Sequence, residues 1–179
     1  DYVWNTTTAD DFPINGHRLA LSADGGVVPA TGEDWLSGAV SLTGIGAFDL
    51  RNALAARASA ALAWGDTEDR LLWFGGPGRM SALPPATVIG TRRFLAQVEY
   101  RTAVLRNASI NLFALAWVSQ VQLAFGAEAG TVWDGERWSQ AAGGTASILV
   151  TGDVFGVNPM SVGLTVALPL WLDGIELDK

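Results

Sequence analysis

The chain has 179 residues, 49% of them apolar and only 16% charged, and its 11 Lys and Arg against 18 Asp and Glu give a formal net charge of −7. So few basic residues exclude a nucleic-acid partner, because phosphate contacts need clustered Lys and Arg, while the apolar content and eight Trp exclude disorder. With no cysteine and a single histidine, His17, disulfide frameworks and thiolate sites are excluded, and a His-based zinc site or a Ser-His-Asp triad is hard to assemble; no catalytic residue, metal or cofactor is assigned, and the chain reads as a non-enzyme.

A soluble domain carries about 25% charged residues, and this chain falls well short of that. No apolar run approaches the ~18 residues of a membrane-spanning helix; the longest is Leu112 to Val118. A mean hydropathy of +0.25 without such a helix leaves the β-barrel as the open membrane class. The opening stretch from Asp1 is polar and lacks the basic start of a secretory leader, which reads as a leader already removed or a start inside a longer protein.

In chain order, residues 1–13 form a leading segment. Gly16 to Val28 alternates, with Leu19 and Leu21 opposite Arg18, Ser22 and Asp24, and Trp35 to Ala47 follows more loosely. Asn52 to Gly65 is Ala-rich and locally a fair helix, but the short link Asp49 to Asn52 and the shared face of Arg57 and Ser59 favour a hairpin strand. Asp66 to Arg93 is a 28-residue connection, long enough to be functional or disordered.

The clearest strand is Phe94 to Leu105: Phe94, Val98, Tyr100 and Val104 lie on one face, Gln97, Glu99 and Arg101 on the other. After a connection over Arg106 to Val118, whose apolar end could lie in a membrane interface, Ser119 to Trp133 sets Val121, Leu123 and Phe125 against Gln120, Gln122 and Glu128. Asp134 to Gly143 is expected as a longer loop. Gly143 to Phe155 and Met160 to Leu172 complete the set, the latter with Leu164, Val166 and Leu168 on its apolar face, and 173–179 form a terminal loop.

Seven strands of about 10–15 residues are long for a soluble sheet, where five or six residues are usual. Trp35, Trp64, Trp133 and Trp171 fall at the loop-side strand ends and Trp117 near the opposite end, as interfacial aromatics do. The fold expected is therefore all-β: an antiparallel, up-and-down transmembrane barrel portion over residues 14–172, with a long loop at 66–93. The competing reading is a soluble β-sandwich with Trp in its core.

Three phrases stand in order along the chain: Phe74-Gly75-Gly76-Pro77-Gly78; Gly90-Thr91-Arg92 followed by Val98-Glu99-Tyr100-Arg101; and Phe125-Gly126-Ala127-Glu128 through Trp133. In order and spacing the chain resembles the carboxy-terminal half of BamA/TamA-type outer-membrane barrels, a superfamily that includes two-partner secretion transporters. The resemblance implies the outer membrane of a Gram-negative bacterium and a role in protein insertion or translocation. It also implies partners: outer-membrane lipid, and other protein chains or the remainder of its own barrel. A non-catalytic anchor or scaffold that docks partner proteins, or a passive porin, are the alternatives.

In that superfamily an Arg-Gly-aromatic tripeptide follows the Gly-Gly-Pro phrase, and its arginine pairs inside the barrel with the acid of the third phrase. Here Ser81-Ala82-Leu83 stands in its place and Glu128 is the acid. Arg79, Arg92, Arg93 and Arg101 are the candidate replacement partners. The stretch Gly75 to Pro85 is expected to fold inward near Glu99, Arg101 and Glu128, held by apolar contacts and backbone hydrogen bonds. Leu71, Leu72, Trp73 and Phe74 are expected to leave water in the process. The superfamily's last strand has no counterpart after Leu172, so the chain is expected to be a partial barrel that does not close alone.

Other constellations have ordinary readings. Glu99 and Glu128 could form a carboxylate pair, but a solvated polar lumen shared with Arg57 and Arg101 is the simpler reading. Gly75 to Gly78 lacks the Gly-Lys-Ser/Thr ending of a phosphate loop. Asp66, Glu68 and Asp69 suit a solvated loop better than a calcium site. His17 reads as a surface or lumen residue.

Overall fold

The computed structural model describes residues 2–5, 15–27, 34–65, 72–76, 79–85, 87–112, 116–155 and 158–175. Among these there is no helix. The strands are β1 (Tyr2–Asn5), β2 (Gly16–Val27), β3 (Asp34–Ala47), β4 (Asn52–Gly65), β5 (Leu72–Phe74), β6 (Val88–Gly90), β7 (Arg92–Leu105), β8 (Ile110–Leu112), β9 (Ala116–Trp133), β10 (Trp138–Val154) and β11 (Asn158–Asp173). One sheet runs β1-β2-β3-β4-β7-β9-β10-β11, with β8 added beside β9, and β5-β6 form a separate hairpin. All pairings are antiparallel. The chain is thus an up-and-down meander of the partial-barrel type, left open between β1 and β11.

Two adjacent rows of cross-strand partners show how the sequence sorts its side chains. One row crosses the sheet through Arg18, Thr43, Arg57, Gln97, Glu128 and Gly143. The neighbouring row, one residue along each strand, runs through Leu19, Leu42, Ala58, Ala96, Ala129, Ala142 and Trp171. Because side chains alternate faces along a strand, the first row lies on one surface and the second on the other. The polar surface is the inner one, onto which the β5–β6 loop folds. The apolar surface is bare: Leu164, Val166, Leu168 and Leu170 of β11 are 56–73% exposed.

This arrangement rules out the sandwich reading. No second sheet covers the apolar face among the described residues, and Trp64, Trp138 and Trp171 are about half exposed on it rather than in a core. They cluster at the end of the sheet that carries the long loop. Trp133 and Trp138 face each other across a turn, ring centroids 5.3 Å apart.

Two elements differ from expectation. The connection expected over Asp134 to Gly143 is a tight turn of Asp134 to Arg137, and β10 begins at Trp138. The inward residues at that end, Ser139, Ala141 and Gly143, are small and buried beneath the loop, so the apolar–polar alternation that marks a half-exposed strand is missing there. The apolar run Leu112 to Val118 is strand rather than connection at its described end: Ala116 to Val118 extend β9, paired with β8 on one side and β10 on the other.

Two turns are closed by aspartates. Asp49 Oδ1 accepts the backbone N–H of Arg51 at 2.6 Å and of Asn52 at 2.9 Å, while the Asn52 amide donates to both carboxylate oxygens. At the opposite end Asp134 Oδ1 accepts the N–H groups of Glu136 and Arg137, each at 2.8 Å. Such local carboxylate–backbone bonds define an Asx turn. They hold Asp49 below the usual carboxylate range, chiefly through the Asn52 side chain, and Asp134 chiefly through the Arg137 N–H. A depressed folded-state pKa contributes stability that is present above the unfolded value near 3.8 and is lost as pH falls through the lower folded value. Amide exchange at Glu136 and Arg137 should therefore be steady from neutral pH down to about 4 and accelerate below it, beyond the intrinsic pH effect. Asp134→Ala should abolish that step.

Candidate functional site: a loop latched to the polar wall

The described part of the 28-residue connection, from Leu72 onward, is a built structure. Its two arms pair as β5 and β6, with Leu72 opposite Gly90 and Phe74 opposite Val88. Its base is tied into the sheet at Thr91, whose N–H donates to Trp133 O at 2.7 Å and whose carbonyl accepts Ala63 N–H at 2.8 Å. Beyond Phe74 the chain reverses. Gly75 has φ of +121°, a conformation open to glycine and strained for other residues. Gly76 N–H donates to both Met80 O and Leu83 O at 3.0 Å, closing the tip on itself. Pro77, Gly78, Leu71 and the acids Asp66, Glu68 and Asp69 lie outside the described residues.

The tip enters the polar face as expected. Phe74, Met80, Ala82 and Leu83 are buried against Leu95, Val132 and Ala141 of β7, β9 and β10, which makes the largest buried apolar cluster among the described residues. Two glycines of the wall provide the clearance. A methyl group on Gly130 would meet the Phe74 ring at 2.7 Å, and one on Gly143 would overlap the Ala82 methyl. Trp73 departs from expectation: it stays 49% exposed, with the Arg79 guanidinium 5.5 Å from its ring centre. An arginine over an indole face is attractive while both remain partly hydrated.

The polar centre of this contact is Glu128, only 4% exposed. One carboxylate oxygen accepts the backbone N–H of Ala82 at 2.6 Å, and the other accepts the Gln97 amide at 2.9 Å. Gln97 also donates to Arg79 O at 3.0 Å, so one side chain ties the loop backbone to the carboxylate. The four arginines named as replacement partners are engaged elsewhere or face away. Arg101 pairs with Glu99. Arg93 donates to Trp73 O at 2.7 Å. Arg79 stacks on Trp73, and Arg92 is exposed at the start of β7. A backbone N–H is already in place at the required height, so no arginine needs to be desolvated to satisfy the acid.

Below the latched tip lies a cavity of about 370 Å3, lined by Arg57, Ser81, Gln97, Glu99, Arg101 and Glu128 together with small residues of β9 to β11. Glu99 and Glu128 therefore share one space, but each has its own partners, Arg101 for the first and the Ala82 N–H and Gln97 amide for the second. Ser81 faces the cavity. His17 lies outside it, exposed on the opposite face of β2 beside Gly44. Trp64, Trp133 and Trp171 stand at the loop-side end of the wall, while the Trp35 side chain lies outside the described residues.

Sequence reasoning missed Gln97 and Ala82 as the carboxylate's partners. Counting alternation from Glu128 and Gln97 across the strand pair could have found the first; nothing in the identity of an alanine points to the second. Comparison with family models, with curated proteins and with solved structures returns no match.

Removing the latch should free the loop. Glu128→Ala leaves the Ala82 N–H without an acceptor and the Gln97 amide with Arg79 O alone, a loss of about 1.5–3 kcal/mol for a bond to a charged group. Limited proteolysis between residues 75 and 90 should accelerate accordingly. Ser81→Ala should leave the cleavage rate unchanged, and Gly143→Val should match Glu128→Ala by steric exclusion alone.

Proposed function

We propose that the chain is part of an outer-membrane β-barrel of the BamA/TamA type in a Gram-negative bacterium, with a role in inserting or translocating polypeptides. The observation that carries this reading is the latched loop. The excursion from Leu72 to Gly90 lays its tip on the polar face, pinned by Glu128 of β9. An open porin would leave that space to water. The membrane assignment rests on the inside-out wall: its seven long strands have 12–18 residues, and a tilted strand needs about 9–11 to cross the hydrocarbon core. Outward Trp at one end fits the headgroup level.

Ser81-Ala82-Leu83 favours a second reading, a scaffold barrel of the same descent in which the loop is a static plug. The two part on what touches the loop. A photo-crosslinker at Ser81 should capture a secreted or membrane-bound polypeptide in cells if the barrel moves polypeptide, and only its own barrel wall if it is a scaffold.

The lipid assignment has its own test. A charge at the bilayer midplane on the lipid face of a barrel costs about 2–4 kcal/mol. Val166→Arg should therefore sharply reduce the yield of protease-resistant protein in lipid vesicles, whereas Thr165→Arg, on the cavity side, should not. Equal yields would exclude a lipid-facing β11.

A further inference from the structure

The inner wall holds a second recess, beside the latched loop, of about 300 Å3 between β2, β3, β4 and β7. Its floor carries the hydroxyls of Ser41 and Ser59, which are direct cross-strand partners, with Ser22 on the adjoining strand. Arg57 and Arg93 line the same recess. Arg57 stands two positions before Ser59 on its strand, and Arg93 is the partner of Ala61, two positions beyond it. Two guanidinium groups thus flank a pair of hydroxyls.

The charge balance of this recess is unusual for a chain of net charge −7. Glu99 is taken by Arg101 and Glu128 by the loop. None of the described side chains that line the recess is a carboxylate. Arg79 adds a third positive charge near Arg93. Arg93 spends one donor on Trp73 O and keeps the rest of its fork. The side chains of Arg57, Ser41 and Ser59 have no hydrogen-bond or ion-pair partner among the described residues. Neighbouring cations with unused donors, converging on hydroxyls, are the components of an oxyanion receptor, because the planar guanidinium matches carboxylate and phosphoryl oxygens two at a time.

We propose that this recess is an oxyanion site, in which Arg57 and Arg93 clamp a carboxylate or phosphoryl group from the concave side while Ser41 and Ser59 donate to its remaining oxygens. The ligand reaches it through the aqueous interior, either as a free solute or as the acidic side chain of a polypeptide lying along the wall. The proposal needs only the concave polar wall, so it stands whether the barrel transports polypeptide or serves as a scaffold.

Calorimetric titration of the purified protein in detergent micelles tests it, with inorganic phosphate as the probe and chloride holding the ionic strength constant. Phosphate should bind saturably. Arg57→Gln should weaken binding about tenfold or more, the size expected for a lost charge-assisted bidentate contact. Arg57→Lys should fall between, since it keeps the charge but loses the fork. A Glu-rich hexapeptide that displaces phosphate identifies a peptide-borne ligand, and failure to displace it identifies a free anion; either supports the site. Phosphate binding no tighter than chloride, or unchanged in Arg57→Gln, overturns it. Should Arg57→Gln not fold, a Ser41→Ala, Ser59→Ala double variant with unchanged phosphate affinity overturns it equally.

Discussion

A single buried carboxylate organises the inner side of this molecule. Glu128 sits on a wall whose other face is apolar, where an uncompensated charge would be costly. It is stable there because the loop brings a backbone N–H to one oxygen and β7 brings the Gln97 amide to the other. The dependence runs both ways. Without the acid the loop tip has an orphan donor; without the loop the acid faces an open cavity. The apolar cluster of Phe74, Met80 and Leu83 packs beside that bond and holds the tip together with it.

The rest of the architecture follows from an inverted distribution of polarity. In a globular domain the buried side of a sheet is its apolar side; here large apolar side chains face outward, and the larger buried cluster among the described residues lies under the loop. The small outward residues Ala58, Ala96, Ala129 and Ala142 let this exterior be smooth at mid-height, while Trp64, Trp138 and Trp171 stand out at the loop end. Around the loop the interior's polar groups are matched in pairs: Arg101 with Glu99, Gln97 with Glu128, Ser147 with Thr165.

Much of this was legible in the sequence because period-2 alternation survives wherever one face is apolar and the other polar. Phe94 to Leu105, Ser119 to Trp133 and Met160 to Leu172 read cleanly, and even the Ala-rich Asn52 to Gly65 is a strand. The signal failed where the inner face is itself apolar. Ala141 and Gly143 are small because Met80 and Ala82 press on them, so the start of β10 looked like loop. The inward fold of Gly75 to Pro85 followed from the resemblance and the turn glycines, but its fastening did not. Arginines were sought for Glu128 because side chains are what a sequence lists; the loop's own donor is a main-chain N–H, which every residue but proline carries alike.

That fastening has a further consequence. A latch that grips the main chain is indifferent to the chemistry of the residue it holds. What position 82 must supply is smallness, since Gly143 already yields its own side chain to make room. Ser81 on one side points into the cavity and Leu83 on the other into the apolar cluster, so the two neighbours are set by separate surroundings. The loop can therefore change its exposed lettering while keeping its seat, which separates what the loop presents to the interior from what holds it there.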